Sequence, residues 1–162
     1  MTASSASILP LALGIGFVAG LRSLTAPAAV SWAAHLGWLN LQGSSLAFMG
    51  SAAAVLVLSV LALGEYVADV LPGTPNRTKP GPLVARIVMG GLAGACISVS
   101  AGHSWLAGAV PGAIGGVIGA FAGYEIRRRM VSGAKVKDAV VGVTEDLVAI
   151  GLAYAFLVSV EM

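Results

Sequence analysis

Residues 106–124 read LAGAVPGAIGGVIGAFAGY, and residues 125–138 after them read EIRRRMVSGAKVKD. The first stretch has no charge and nearly the length, about 20 residues, that crosses a bilayer core as a helix. The second holds Arg127, Arg128, Arg129, Lys135 and Lys137. An uncharged segment ending in a basic cluster is how a membrane helix meets the cytoplasm, because cytoplasmic loops carry the Lys/Arg excess. The pattern repeats outward from here. Arg77, Lys79 and Arg86 flank other apolar segments on the same side, and among the nine basic residues only Arg22 lies well inside one.

Composition agrees. The chain has 162 residues, 57% hydrophobic and 10% charged, with a mean hydropathy of +0.93. A soluble domain carries about 25% charged residues, so too few polar groups exist to coat a water-facing globule. The net charge of +2 belongs to segments beside the membrane, which argues against nucleic acid as a partner. One cysteine, Cys96, excludes an intrachain disulfide and reads as a small buried hydrophobe. Residues 1–7 have no basic n-region, so the first segment is expected to remain as a helix and not to be cleaved.

The apolar runs predict an all-α, polytopic bundle, a single domain of about five transmembrane helices over 8–33, 46–70, 83–101, 106–124 and 139–160. Connections 39–45 (LNLQGSS) and 102–105 (GHSW) lack Lys and Arg; connections 71–82 (LPGTPNRTKPGP) and 125–138 are basic. The positive-inside rule then places the N-terminus in the cytoplasm and the C-terminus outside. Trp32, Trp38 and Trp105 fall at the non-basic ends, as an interfacial belt does. Arg22, His35 and Glu65 recur in order as Arg86, His103 and Glu125, which suggests a two-helix internal repeat with a fifth helix added. Gly112/Gly116, Gly115/Gly119 and Gly119/Gly123 are four apart and line stripes, which predict close helix packing within a protomer or in a homo-oligomer. Pro27 and Pro111 mark kinks or breaks.

Five ionisable residues fall well within the expected spans, Arg22, Glu65, Arg86, Glu145 and Asp146, and Asp69 stands at the end of the second. Each costs about 2.5–3.5 kcal/mol at mid-bilayer on insertion scales, so they must turn inward and pair, or be hydrated. Asp69 is four residues beyond Glu65 and shares its helical face. The expected cluster sets Arg22 and Arg86 against the carboxylates, with Arg22 the deepest group. Two readings stay open: a substrate- or ion-binding site, and a structural ion-pair network with Glu65, Asp69 and Arg86 reaching toward the interface. In the stiff, Pro- and Gly-rich loop, Thr74, Asn76, Arg77, Thr78 and Lys79 could bind an anion such as a lipid phosphate, or simply anchor the topology. Arg127, Arg128 and Arg129 read as a lipid-headgroup contact. His35 and His103 at the outer face are candidates for a shared proton or metal site, although interfacial histidines more often have none. No catalytic signature is present, and neither a cofactor nor a resident metal is expected.

Two stretches carry a resemblance: Gly20-Leu21-Arg22-Ser23-Leu24-Thr25-Ala26-Pro27 with Trp32-Ala-Ala-His35, and Glu65-Tyr-Val-Ala-Asp69-Val-Leu-Pro72-Gly-Thr74-Pro75-Asn-Arg77-Thr78. They resemble a bacterial membrane family catalogued as domain of unknown function 4126. The resemblance implies a small multipass inner-membrane protein and carries no activity. The expected function is therefore a small transporter or channel that moves an ion or polar solute past the charged cluster. The alternatives are a non-transporting scaffold or assembly protein, and a protein that binds lipid phosphate.

Overall fold

The computed structural model describes residues 5–70, 78–133 and 138–161. It is all-helical: α1 (Ser5–Leu21), α2 (Thr25–His35), α3 (Ala52–Val70), α4 (Pro80–Ser100), α5 (Trp105–Gly133) and α6 (Asp138–Glu161), with a 3-10 turn at Ala47–Gly50. Four helices are long and apolar enough to cross a membrane, over Ala52–Asp69, Pro80–Ser100, Trp105–Ser132 and Val140–Val160. Ile8–Leu21 is a shorter apolar helix.

The expected first span, 8–33, is not one helix. It breaks at Arg22–Leu24 into α1 and α2, so the described residues hold six helices and not five. At about 1.5 Å per residue, the 11 residues of α2 cover about 16 Å, too little to cross the core alone. The direction of each helix follows from its contacts. α1 runs parallel to α5, since Gly16 faces Gly112 and Gly20 faces Gly116. α2 runs against α3: Thr25 Oγ1 and Tyr66 Oη are 2.7 Å apart, Trp32 Nε1 donates to Ser59 Oγ at 3.0 Å, and His35 Nδ1 is 2.9 Å from Gly50 O. α1 and α2 thus form a hairpin that returns to the end it came from.

The tip of that hairpin meets Asp69, Gly142 and Asp146, at the end of the bundle where the basic segments lie. α1 therefore starts at the opposite end, where α4 joins α5. This reverses the direction expected for the first span. It also removes the frame of the two-helix repeat: Arg22 lies at a turn between helices, whereas Arg86 lies inside α4.

α1, α4 and α5 pack along their glycines. A Cβ on Gly90 would stand 2.6 Å from Gly112 O, and one on Gly116 would stand 2.6 Å from Arg86 O. Only glycine permits such an approach of backbones, which replaces the hydrophobic driving force that lipid does not supply. The stripes are thereby occupied inside one chain. The buried core includes Ile15, Val18, Val30, Met49, Cys96 and Ile97. α3 is the most peripheral span, with Leu56, Val60, Leu63 and Val67 exposed.

α5 continues through the expected loop to Gly133, which puts Arg127, Arg128 and Arg129 on a helix. Glu125 accepts from Arg129 Nε at 2.7 Å and from Arg128 Nη2 at 3.1 Å. Such pairs, with Glu on the N-terminal side, support helix. Lys79 has extended φ/ψ before α4, and Pro80 takes the first helical position, where its missing N–H costs nothing.

Candidate functional site: an ion-pair network under a hairpin tip

The break at Arg22–Leu24 leaves backbone groups that bilayer hydrocarbon cannot satisfy. Two charged side chains satisfy them. Glu65 accepts from Ser23 N at 2.9 Å, from Ser23 Oγ at 2.5 Å and from Leu24 N at 2.9 Å. Its carboxylate therefore sits at the N-terminus of α2, where helix geometry leaves N–H groups open and favours negative charge. Arg86 Nε donates to Gly20 O at 3.0 Å near the C-terminus of α1, and its Nη1 donates to Pro82 O at 3.2 Å. Arg86 Nη2 also lies 3.8 Å from Glu65 Oε1. Of the expected cluster, these two residues hold the backbone of the tip.

The others form a second group. Arg22, only 1% exposed, donates from Nη2 to Asp69 Oδ2 at 2.8 Å and to Gly142 O at 3.4 Å. Its Nε lies 2.5 Å from Asp146 Oδ1, without the alignment of a hydrogen bond, so the pair meets as charges. Asp69 is shared: Arg127 Nη1 donates to the same Oδ2. Arg127 Nη1 is also 3.9 Å from Glu145 Oε2. The Arg22 guanidinium stands 6.0 Å from the centre of the Tyr66 ring. The side chains of Asp69, Glu145, Asp146 and Arg127 keep 11–17% of their exposure, so the group is mostly, not wholly, enclosed.

The tip is recessed. Asp146 lies eight residues into α6, and α5 runs six residues beyond Arg127. At helical rise these helices extend about 10 Å past the network. Arg22 is not deeper than its partners, as its place near the middle of a continuous span implied; the turn brings it level with them. Adjacent Glu145 and Asp146 diverge by about 100° on their helix, and they reach Arg127 and Arg22 respectively.

Arg127 is the network member that composition misreads as a headgroup contact. Its spacing holds the signal: Gly119, Gly123 and Arg127 are four apart, so Arg127 extends the inward glycine face of α5. Arg128 and Arg129 are turned outward, with 61% and 77% side-chain exposure. Of the expected anion loop, Thr74, Asn76 and Arg77 lie outside the described residues, Thr78 is half-buried and Lys79 is exposed. His35 and His103 each meet a nearby backbone carbonyl, Gly50 O and Ala101 O. Among the described residues no group of three His, Cys, Asp or Glu could hold a metal.

A protein-family model described as domain of unknown function (DUF4126) matches residues 9–159. No curated protein and no solved structure matches the chain.

Proposed function

The chain belongs to this family, DUF4126, and on that footing we propose that it is a small multipass transporter of the bacterial inner membrane, moving an ion or polar solute past the network of Arg22, Asp69, Arg127, Glu145 and Asp146. One observation carries the reading. A buried break between two short helices ends on charges gathered from α3, α5 and α6. Discontinuous helices inside membranes are used to place backbone ends and charges at solute sites. Ionisable groups at such depth are costly enough to favour a functional origin.

The positive-inside rule puts the basic end in the cytoplasm. The network then lies in the inner half of the bilayer, and the start of α1 and the end of α6 face outside. Asp69 acts as the shared joint, because moving it would take a partner from Arg22 and from Arg127 together. Flux of small ions into liposomes tests the reading: Asp69→Asn should lower it by about tenfold or more while far-UV circular dichroism stays helical. Persistent flux in that variant overturns the role given to the network.

A second reading has its own observation. Glu65 and Arg86 are bonded to the backbone of the tip, as in a scaffold whose charges lock its helices. It predicts no flux of any ion from the wild-type protein.

A further inference from the structure

We infer that α6 is a gate: its half at the basic end swings away from the glycine-packed trio α1–α4–α5 about a pivot where Phe156 rests on Gly14, and ion pairs of the network latch it shut. This deepens the transport reading and rests on it. The two halves of α6 are held differently. Toward its C-terminus, Ala149, Ala153 and Leu157 are buried. A Cβ on Gly14 of α1 would stand 2.5 Å from the Phe156 ring, so the ring fills the space that a side chain would take. A seat packed to contact leaves no slack for sliding. In the other half, Val141 and Gly142 are buried. Gly142 faces charged tips: the atoms nearest a Cβ there are Asp69 Oδ2, Arg22 Nη2 and Arg127 Nη2, at 3.4, 3.8 and 3.9 Å. Val141 lines a cleft of about 300 Å³, with Phe17 and Leu21 of α1 and Ile126 and Met130 of α5 across it. Walls that face a gap forfeit dispersion contacts, so little apolar packing opposes the opening of this half.

The charges are sorted to match. Arg22 stands just beyond α1, Arg86 on α4 and Arg127 on α5, whereas Glu65 and Asp69 stand on α3 and Glu145 and Asp146 on α6. The five ion pairs described above therefore all cross from the trio to α3 or α6. Two of them hold α6: Asp146 to Arg22, at 2.5 Å, and Glu145 to Arg127, at 3.9 Å. These carboxylates keep 15% and 11% of their exposure, so water can replace either partner as the pairs separate. Asp69 stays behind on α3 and leaves each guanidinium one partner when α6 moves. From Phe156 to Val140 the helix runs about 24 Å. A tilt of about 12° then moves the basic end by about 5 Å while the pivot stays in place. Rocking of one part of a bundle against another is how many transporters expose a fixed site to one side.

Double electron–electron resonance on the full chain in nanodiscs tests the movement, in a Cys96→Ala background. Nitroxides on Val84→Cys and Val140→Cys read the basic end, and nitroxides on Val110→Cys and Ala155→Cys read the pivot end; all four sites are exposed. Glu145→Gln combined with Asp146→Asn should lengthen the first distance by about 5 Å and leave the second within about 1 Å. An unchanged first distance overturns the latch, and equal lengthening of both overturns the pivot. A second experiment leaves the network intact. Ile126→Cys and Val148→Cys, on facing sides of the cleft, are bridged in liposomes by a bifunctional methanethiosulfonate that a reductant removes. Ion flux should fall by about tenfold or more on bridging and return on reduction, as closure of the only moving part demands. Flux that bridging leaves untouched overturns the gate and leaves the transport reading standing. No flux from the unbridged protein, with the resonance distances as expected, sinks the transport reading and leaves the pivot.

Discussion

Asp69 is the residue on which most of the site's electrostatics converge. One of its oxygens receives both Arg22 and Arg127, and removing the carboxylate leaves two guanidiniums facing each other in a largely enclosed space. Breaking a buried pair costs about 3–5 kcal/mol; with 15% exposure remaining, Asp69→Ala should cost about 3 kcal/mol. Thermal unfolding in mild detergent measures this, and an unchanged midpoint contradicts the geometry. Glu65 differs in kind. Its hydrogen-bond partners are two backbone N–H groups and a hydroxyl, with Arg86 Nη2 3.8 Å away, so Glu65→Gln exchanges an acceptor-only group for one that also presents N–H donors and removes the charge facing Arg86. The expected cost is about 1–3 kcal/mol, the penalty for an imperfectly satisfied buried group. Because Glu65 holds Ser23, the neighbour of Arg22 in the same turn, Glu65→Gln and Arg22→Lys should couple by about 0.5–3 kcal/mol in a double-mutant cycle. The shared face of Glu65 and Asp69 is legible from their spacing. That one serves backbone and the other serves guanidiniums is not, because the turn they meet comes from residues more than forty positions away.

At the scale of elements, the α1–α2 hairpin and the α1–α4–α5 glycine seam depend on each other. The hairpin tip is presented to the network by α1, and α1 is held by glycines that admit no side chain. Gly112 faces both Gly16 and Gly90. Gly112→Val must push two backbones apart, which places it at or above the upper end of the usual overpacking cost, about 3 kcal/mol. Expression of helical but less thermostable protein is expected, and retention of wild-type stability would show that the seam is loose. The glycine spacing announces the seam plainly. The break announces itself only in part: Pro27 marks a kink or break in the expected first span, but the chain turns earlier, at Arg22–Leu24, and Pro27 falls inside α2, where its missing N–H belongs to the first turn and is not needed. Hydropathy therefore joins two helices into one.

For the whole molecule, the hairpin sets which end of the bundle the first and last described helices share. With α1 returning through α2, the start of α1 and the end of α6 share the end that holds Gln42 and His103, opposite Lys79 and Arg128. Five uninterrupted spans would put the two chain ends on opposite faces. Cysteine-scanning tests this directly, because Cys96 is buried and its replacement by Ala provides a clean background. An impermeant maleimide applied to the outside of spheroplasts should label Gln42→Cys and a cysteine appended before Met1, and should leave Lys79→Cys unlabelled. Labelling of Lys79→Cys but not of the appended cysteine would reverse the picture.

Membrane residence, the helical class, the basic end and the glycine seam are all written along the chain, since each depends on local composition or on spacing within one helix. The hairpin, the use of Glu65 and Arg86 to finish its backbone, and the recruitment of Arg127 arise only when distant segments meet. Charge burial and backbone satisfaction are properties of a surrounding, and that surrounding is assembled from α1, α3, α4, α5 and α6 at once.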